Sequence, residues 1–386
     1  MHGWIQGIWW GGRPAPLWLR GLARLFAAVV FLRRTAYRRG WLAAGSAGLP
    51  VIIVGNITVG GSGKTPLVIW LARALAGRGL KVGVVLRGHG GSAAGVRRVR
   101  ADSPPHEVGD EALLIARRTG VPVYVGRDRL AAARALAGEG VHLILADDGL
   151  QHYRLGREVE IAVVDAARGA GNGRLLPAGP LREPVSRLEE VSVVVQTGSG
   201  PHGRAGALTM RLGGDRLLPL DGAGAPRALG ELAGQRVHAV AGIGNPARFF
   251  ATLRAAGLEP LPHAFPDHHA YGARDLEFGD ALPVLMTEKD AVKCRPFARA
   301  GRWYLPVDAD FSAADASALL GRIAVDTRLL DILACPQCKG PLQHVREAGV
   351  LVCRADRLAF PIRDGIPVLL ENEARVLAPN DPLLDR

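Results

Sequence analysis

An apolar stretch, Val51 to Val54, runs into a glycine-rich turn ending in Gly63, Lys64 and Thr65, and an apolar helix over Leu67 to Ala76 follows. Strand, glycine turn and helix start in that order form a phosphate-binding loop. Gly60, Gly61 and Gly63, with Ser62 between them, let backbone N–H groups close around a triphosphate. Lys64 reaches the β- and γ-phosphates, and the Thr65 hydroxyl holds Mg²⁺. The strict pattern asks for glycine where Thr58 stands, so the match fails at one position while keeping every other part.

Beyond the loop, apolar runs alternate with helical patterns: strands at 81–86, 121–125, 141–146, 161–164 and 191–196, with helices at 111–118 and 129–137. Such alternation predicts an α/β fold, a P-loop NTPase parallel sheet with helices on both faces. A Gly/Ser/His stretch at 198–206 breaks the rhythm, and a second α/β segment follows (strand 237–242, helix 246–256, strand 284–286). We therefore expect four parts: an N-terminal amphipathic helix (1–45), a P-loop domain (46–205), a smaller second α/β domain closing a cleft (206–325) and a small cysteine-containing β module (326–386).

The chain has 386 residues and a net charge of +12. That excess points to an anionic partner, whether nucleic acid, an acidic membrane surface or a phosphorylated substrate, or only to an arginine-rich composition. Only five of the 48 basic residues are lysines, Lys64, Lys81, Lys289, Lys293 and Lys339. A lysine is a compact point charge, so positions that keep it against an arginine background stand out. The four cysteines, three of them near the C-terminus, argue against a secreted disulfide scaffold and for a reducing, ATP-containing compartment.

At 100° per residue, Trp18, Leu22, Leu25, Phe26, Val29 and Leu32 share one helical face, with Arg20, Arg24, Arg34 and Arg38 opposite. This reads as an interfacial membrane helix; the apolar run 25–32 is far short of the roughly 20 residues a spanning helix needs. An ordinary packed helix and a signal peptide are the rivals, the latter opposed by Arg33, Arg34, Arg38 and Arg39 after the apolar core.

Several side chains have the chemistry for catalysis. Asp147 and Asp148 end an apolar strand, where a P-loop protein holds Mg²⁺ or its water, although Asp-Asp-Gly is also a turn. Asp110 and Glu111 open a helix after Gly109, as caps or as a base and metal partner. Asp267, His268 and His269 follow a turn; adjacent histidines cannot share one helical face, so at most one points at a given site. Thr287, Glu288, Lys289 and Asp290 are similar to the base-reading loops of some P-loop nucleotidases.

Together and in this order, these pieces resemble the tetraacyldisaccharide 4′-kinase family, the lipid A kinases of Gram-negative bacteria, over roughly residues 14–315. The resemblance rests on the basic-apolar N-terminal helix, the loop 54–66, Arg87 to Gly91, Gly109 to Glu111, Asp147 to Arg154, Gly171 to Gly173, Leu176 to Glu183, Phe265 to His268 and Met286 to Cys294. Thr58 is the family's own form of the loop. Where the family usually carries tyrosine this chain has His89, whose role stays open. The resemblance implies transfer of the γ-phosphoryl group of ATP, with Mg²⁺, to the 4′-hydroxyl of a tetraacylated glucosamine disaccharide 1-phosphate at the cytoplasmic face of the bacterial inner membrane, with no nucleic-acid partner. It implies Asp110 as general base, His268 as its dyad partner and Lys64 on the phosphates. Asp147 and Asp148 would serve the nucleotide and its metal, and Glu111, Gln151, His152 and Arg87 the substrate and metal shell, with Thr65 and Glu111 on Mg²⁺.

The C-terminal segment resembles small zinc-ribbon proteins related to methyltransferase-activating subunits. Cys335, Cys338 and Cys353, with Asp356 in place of a fourth cysteine, have zinc-like spacing; a metal-free β module is the alternative. A methyltransferase partner would follow from that resemblance. Lying outside the kinase motifs, the module is expected to be dispensable for phosphoryl transfer when the chain stops near Val325. The remaining rival is a P-loop regulatory or metal-delivery nucleotidase that reads guanine through residues 287–290.

Overall fold

The computed structural model describes residues 2–92, 94–324 and 333–384. Two helices open the chain, α1 (His2–Trp9) and α2 (Leu17–Arg38). Then come β1 (Val51–Gly55), α3 (Lys64–Ala76), β2 (Val82–Leu86), β3 (Arg97–Val99), α4 (Pro105–Val108), α5 (Asp110–Thr119), β4 (Val123–Val125), α6 (Arg129–Ala137), β5 (Leu143–Asp147), β6 (Val159–Asp165), β7 (Val193–Thr197) and β8 (Leu208–Gly213). These strands form one sheet in the order β8-β7-β6-β1-β5-β2-β4-β3. All neighbours are parallel except β3 against β4, so the expected P-loop sheet is present with an antiparallel edge.

The period of two along β1 explains why helices cover both faces. Ile52 and Val54 join the core beneath α3 and α5, whereas Val51 and Ile53 join the core beneath α6. Because β1 lies between β5 and β6, its C-terminal end opens at mid-sheet, and the register sets Val54 beside Asp147. The phosphate loop and the Asp147 carboxylate thus leave the sheet at the same edge.

The second sheet comprises β9 (Arg216–Pro219), β10 (Arg227–Ala228), β11 (Arg236–Ala241), β12 (Glu259–Ala264), β13 (Val284–Thr287) and β14 (Arg302–Leu305), with α7 (Pro246–Ala255) and α8 (Glu288–Cys294). The chain then returns: β15 (Asp308–Phe311) pairs antiparallel with β8, and α9 (Ala313–Ala324) follows. This corrects the expected boundaries. The glycine-rich stretch at 198–206 is a connection between two parallel strands of the first sheet, not a domain border, and residues 308–324 belong with the first domain. Turn-forming composition marks a turn wherever it falls.

The C-terminal module is a small antiparallel sheet, with β16 (Gln343–Val345), β17 (Val350–Cys353), β18 (Leu358–Arg363), β19 (Ile366–Pro367) and β20 (Arg375–Val376). The expected border near residue 326 lies outside the described residues.

Along α2, Leu19 and Ala23 pack on Ala178, while Leu17, Trp18, Leu22, Leu25, Phe31 and Leu32 are exposed. Arg34 and Arg38 do not point away from the protein: both pair with Glu190, Arg34 at 2.6 Å. Among the described residues no helix is long and apolar enough to cross a membrane.

Candidate active site

The phosphate loop is held from beneath. The Thr197 hydroxyl donates to the Ser62 carbonyl at 2.6 Å, and Asn56 Nδ2 to Ser62 Oγ at 3.2 Å. Gly63 has φ +93°, and a Cβ there would lie 2.9 Å from Leu212, so glycine is needed for both conformation and space. The chain turns directly into α3, whose first residues are Lys64 and Thr65. Helix N-termini carry orphan N–H groups and positive dipole ends, which suit an anionic phosphate.

Lys64 Nζ lies 3.5 Å from Asp148 Oδ1. Asp148 itself sits at φ +50° and accepts two hydrogen bonds from Arg182 Nη1, at 2.9 and 2.8 Å. Although burial opposes its charge, Lys64 and Arg182 hold its carboxyl far below the usual range. Its neighbour is the opposite case. Asp147 is buried and neither carboxylate oxygen has a hydrogen-bond partner. Burial, with the Glu111 charge nearby, pushes its pKa up to about 7. A buried carboxylate with two orphan oxygens beside a phosphate loop has the chemistry to bind a divalent cation or its water shell.

Asp110 and Glu111 open α5 after Gly109, which takes φ +88° so that its backbone can pass the His89 carbonyl. Asp110 is buried, and its Oδ2 is 3.1 Å from His268 Nδ1 on the loop after β12. Two lysines of α8 flank it, Lys293 Nζ at 3.7 Å and Lys289 Nζ at 4.0 Å. Burial alone would raise the Asp110 pKa; the His268 bond and the two lysines overcome this and lower it. In turn the Asp110 bond raises the His268 pKa against its partial burial. The His89 ring stacks on His268 with centroids 4.9 Å apart, giving His89 a place in the site. His269 faces elsewhere, toward Asp275 at 3.2 Å.

Lys289 and Lys293 were not among the expected site residues. Lys289 Nζ also reaches Glu111 Oε1 (3.2 Å) and Asp267 Oδ1 (3.4 Å), joining three carboxylates from both domains. Their signal was present in the rarity of lysine, but residues 287–290 read as a base-binding loop. The structure overturns that: Asp290 is fully buried, accepts from Gly242 N–H at 2.8 Å and the Thr287 hydroxyl at 2.6 Å, and pairs with Lys293 at 3.2 Å. Thr287 caps α8 by accepting the Asp290 N–H at 3.2 Å, and the inward-turned Asp290 carboxylate has no edge free for guanine.

A cavity of about 450 Å³ opens beside these groups. Asp147, Asp148, Gly109, Glu111, His89 and Arg87 border it on one side, and Phe26, Val29 and Val30 of α2 on another. Beside it a 250 Å³ basin is lined by Arg33, Arg87, Arg127, Arg129 and Arg182 with Asp148, Gln151 and His152. Gln151 donates to the Asn56 carbonyl and to Glu183, each at 3.0 Å. Burial and the Arg129 and Arg157 charges push His152 down to about 4, so it stays neutral among arginines.

In the C-terminal module the Cys335, Cys338 and Cys353 sulfurs and an Asp356 oxygen lie within 4.8 Å of one another. Cys338 and Cys353 are 3.5 Å apart, close to the roughly 3.8 Å edge of a tetrahedron with 2.3 Å zinc–sulfur bonds. The donor set therefore fits one zinc ion.

Residues 15–324 match the family described as tetraacyldisaccharide-1-P 4′-kinase, and residues 326–365 the Trm112p-like proteins. The chain belongs to the tetraacyldisaccharide-1-P 4′-kinase family. It is 54% identical over 308 residues to the tetraacyldisaccharide 4′-kinase of Alkalilimnicola ehrlichii, covering 78% of this chain and 91% of the relative. Against the Xanthomonas campestris enzyme of that name identity is 52% over 333 residues, covering 82% and 95%. The crystal structure of LpxK from Aquifex aeolicus, an "apo" form in complex with ATP, superposes with a TM-score of 0.66 at 28% identity, covering 79% of this chain and 98% of that one. The family match ends at residue 324, so the cysteine-containing module is an addition to the kinase.

Proposed function

We propose that this chain transfers the γ-phosphoryl group of ATP to the 4′-hydroxyl of a tetraacylated glucosamine disaccharide 1-phosphate, a step of lipid A biosynthesis at the cytoplasmic face of the inner membrane. The observation that carries this reading is the shared cavity: phosphate-site carboxylates and the Asp110 helix on one side, and an apolar wall of α2 on the other, whose outer face exposes large hydrophobic side chains. A kinase for a soluble acceptor has no use for such a wall.

In this reading the Asp110 carboxylate accepts the proton of the 4′-hydroxyl as the acceptor oxygen bonds to the γ-phosphorus and the bond to the ADP oxygen breaks. Lys289, Lys293 and His268 keep Asp110 ionised and aimed, and Lys64 balances charge on the leaving phosphates. Thr65, Asp147 and Glu111 would hold Mg²⁺, which when bound neutralises phosphate charge. The arginine basin receives the 1-phosphate, with Arg33 of α2 tying recognition of the headgroup to the membrane-facing helix. Cys335, Cys338, Cys353 and Asp356 would hold one zinc ion; Asp356→Ala should weaken its retention and Cys338→Ser should nearly remove it, as read by metal analysis of purified protein.

Acceptor and nucleotide selectivity tests the reading. Purified protein should use ATP far better than GTP and should lose most of its efficiency on a tetraacylated disaccharide without the 1-phosphate. Equal turnover of both acceptors would remove the basin from the account, and preference for GTP would refute the kinase reading.

A further inference from the structure

The C-terminal module does not hang free of the kinase. Its strands bury Leu351, Leu358, Phe360, Ile366 and Leu369 in one hydrophobic cluster with Leu71, Leu75 and Leu80 around α3 and Leu319, Leu320 and Ile323 of α9. Polar contacts fix the register. The Leu369 N–H donates to the Arg78 carbonyl at 2.8 Å, Arg78 Nη2 lies 3.3 Å from Asp364 Oδ2, and the Ser317 hydroxyl of α9 donates to the other Asp364 oxygen. Arg78 and Gly79 form the turn that ends α3. Gly79 has φ +80°, and a Cβ there would come within 2.6 Å of the Leu369 carbonyl oxygen. The turn therefore has both the conformation and the bare surface that let the module's backbone approach.

We propose that residues 333–384 act as a clamp in cis: the partner of the module's apolar face is the C-terminal end of this chain's own phosphate-loop helix, braced by α9. The helix that presents Lys64 and Thr65 at one end is held by the module at the other. Two consequences oppose the expectations from sequence. A chain stopped near residue 325 exposes the Leu319, Leu320 and Ile323 face to water and loses stability, so the module is not dispensable. The covered face is also unavailable to a separate partner such as a methyltransferase.

Hydrogen exchange on the full-length chain tests the clamp. In wild type the Leu369 amide should be strongly protected. Gly79→Ala should speed exchange by about tenfold or more in 66–80 and in 358–369 together, while leaving 236–241 unchanged. The milder Asp364→Asn, which keeps a residue that tolerates the left-handed φ of +50° there and removes the charge from the polar latch, should raise both segments by about threefold without unfolding the chain. Faster exchange confined to 77–81 in Gly79→Ala, with 358–369 unchanged in both variants, would make the module an independent appendage and overturn the proposal. So would a Leu369 amide that exchanges at the rate of exposed loops in wild type.

Discussion

His268 Nδ1 and Asp110 Oδ2 meet at 3.1 Å, so a loop of the second sheet supplies the hydrogen-bond partner for a buried carboxylate of the first. If the two act as one unit, Asp110→Asn lowers kcat by on the order of a hundredfold or more with little change in the KM for ATP. His268→Ala is less severe, and the double variant costs less than the product of the single effects. Steady-state kinetics on the four proteins decides this, and fully multiplicative losses would give the residues independent roles.

The same pair makes stability depend on pH. The His268 pKa is raised above its ordinary 6.5, so its contribution is complete below that value and is lost as pH rises through the higher folded value. The Asp110 pKa is lowered below 3.8, so its contribution is present above 3.8 and is lost as pH falls through the lower folded value. The Tm gap between wild type and His268→Ala should therefore be widest between those two ordinary values and shrink as pH rises above 6.5. A gap that stays constant to alkaline pH would show that the contact contributes packing and not charge.

At the far end of α5, Arg118 is largely buried and pairs with Glu288 at 2.6 Å and with Asp308. Glu288 directly precedes Lys289, so this brace fixes how α8 presents its lysines to Asp110. Removing one partner of a buried pair leaves an uncompensated charge, and Arg118→Ala should cost about 3 kcal/mol in denaturant unfolding. Adding Glu288→Gln to it should recover part of that loss; no recovery would mean that Arg118 contributes through packing alone.

Much of this arrangement was legible beforehand. Helix 129–137 and the strands around the phosphate loop follow from periodicity, because a doubly covered sheet demands continuous apolar strands. Asp110 and His268 lie 158 residues apart, and only the family resemblance linked them. Lys289 was misread because a Thr-x-Lys-Asp string looks alike whether its Thr caps a helix and its Asp is buried, or its Asp reads a base. The return of β15 and the docking of the module at Gly79 were invisible, since both depend on pairings between segments far apart in sequence.

The exposed face of α2 makes a further prediction. Leu25→Ser with Leu32→Ser removes apolar side chains that touch water in the structure, so folding stability should change by no more than about 0.5 kcal/mol. Association with anionic vesicles should fall clearly, and deletion of residues 1–40 should reduce it further. The deletion also strips Phe26, Val29 and Val30 from the cavity wall, so it should raise the KM for the lipid acceptor. Vesicle flotation that is unchanged in both proteins would place the anchor elsewhere.

The central claim is phosphoryl transfer to a lipid at the Lys64 and Asp110 site. Purified protein incubated with ATP, Mg²⁺ and a tetraacylated disaccharide 1-phosphate should convert the lipid to a bisphosphate, located at the 4′ position by mass spectrometry, and Lys64→Ala should form none. Turnover of ATP by wild type without any lipid bisphosphate, or product from Lys64→Ala at the wild-type rate, would contradict it.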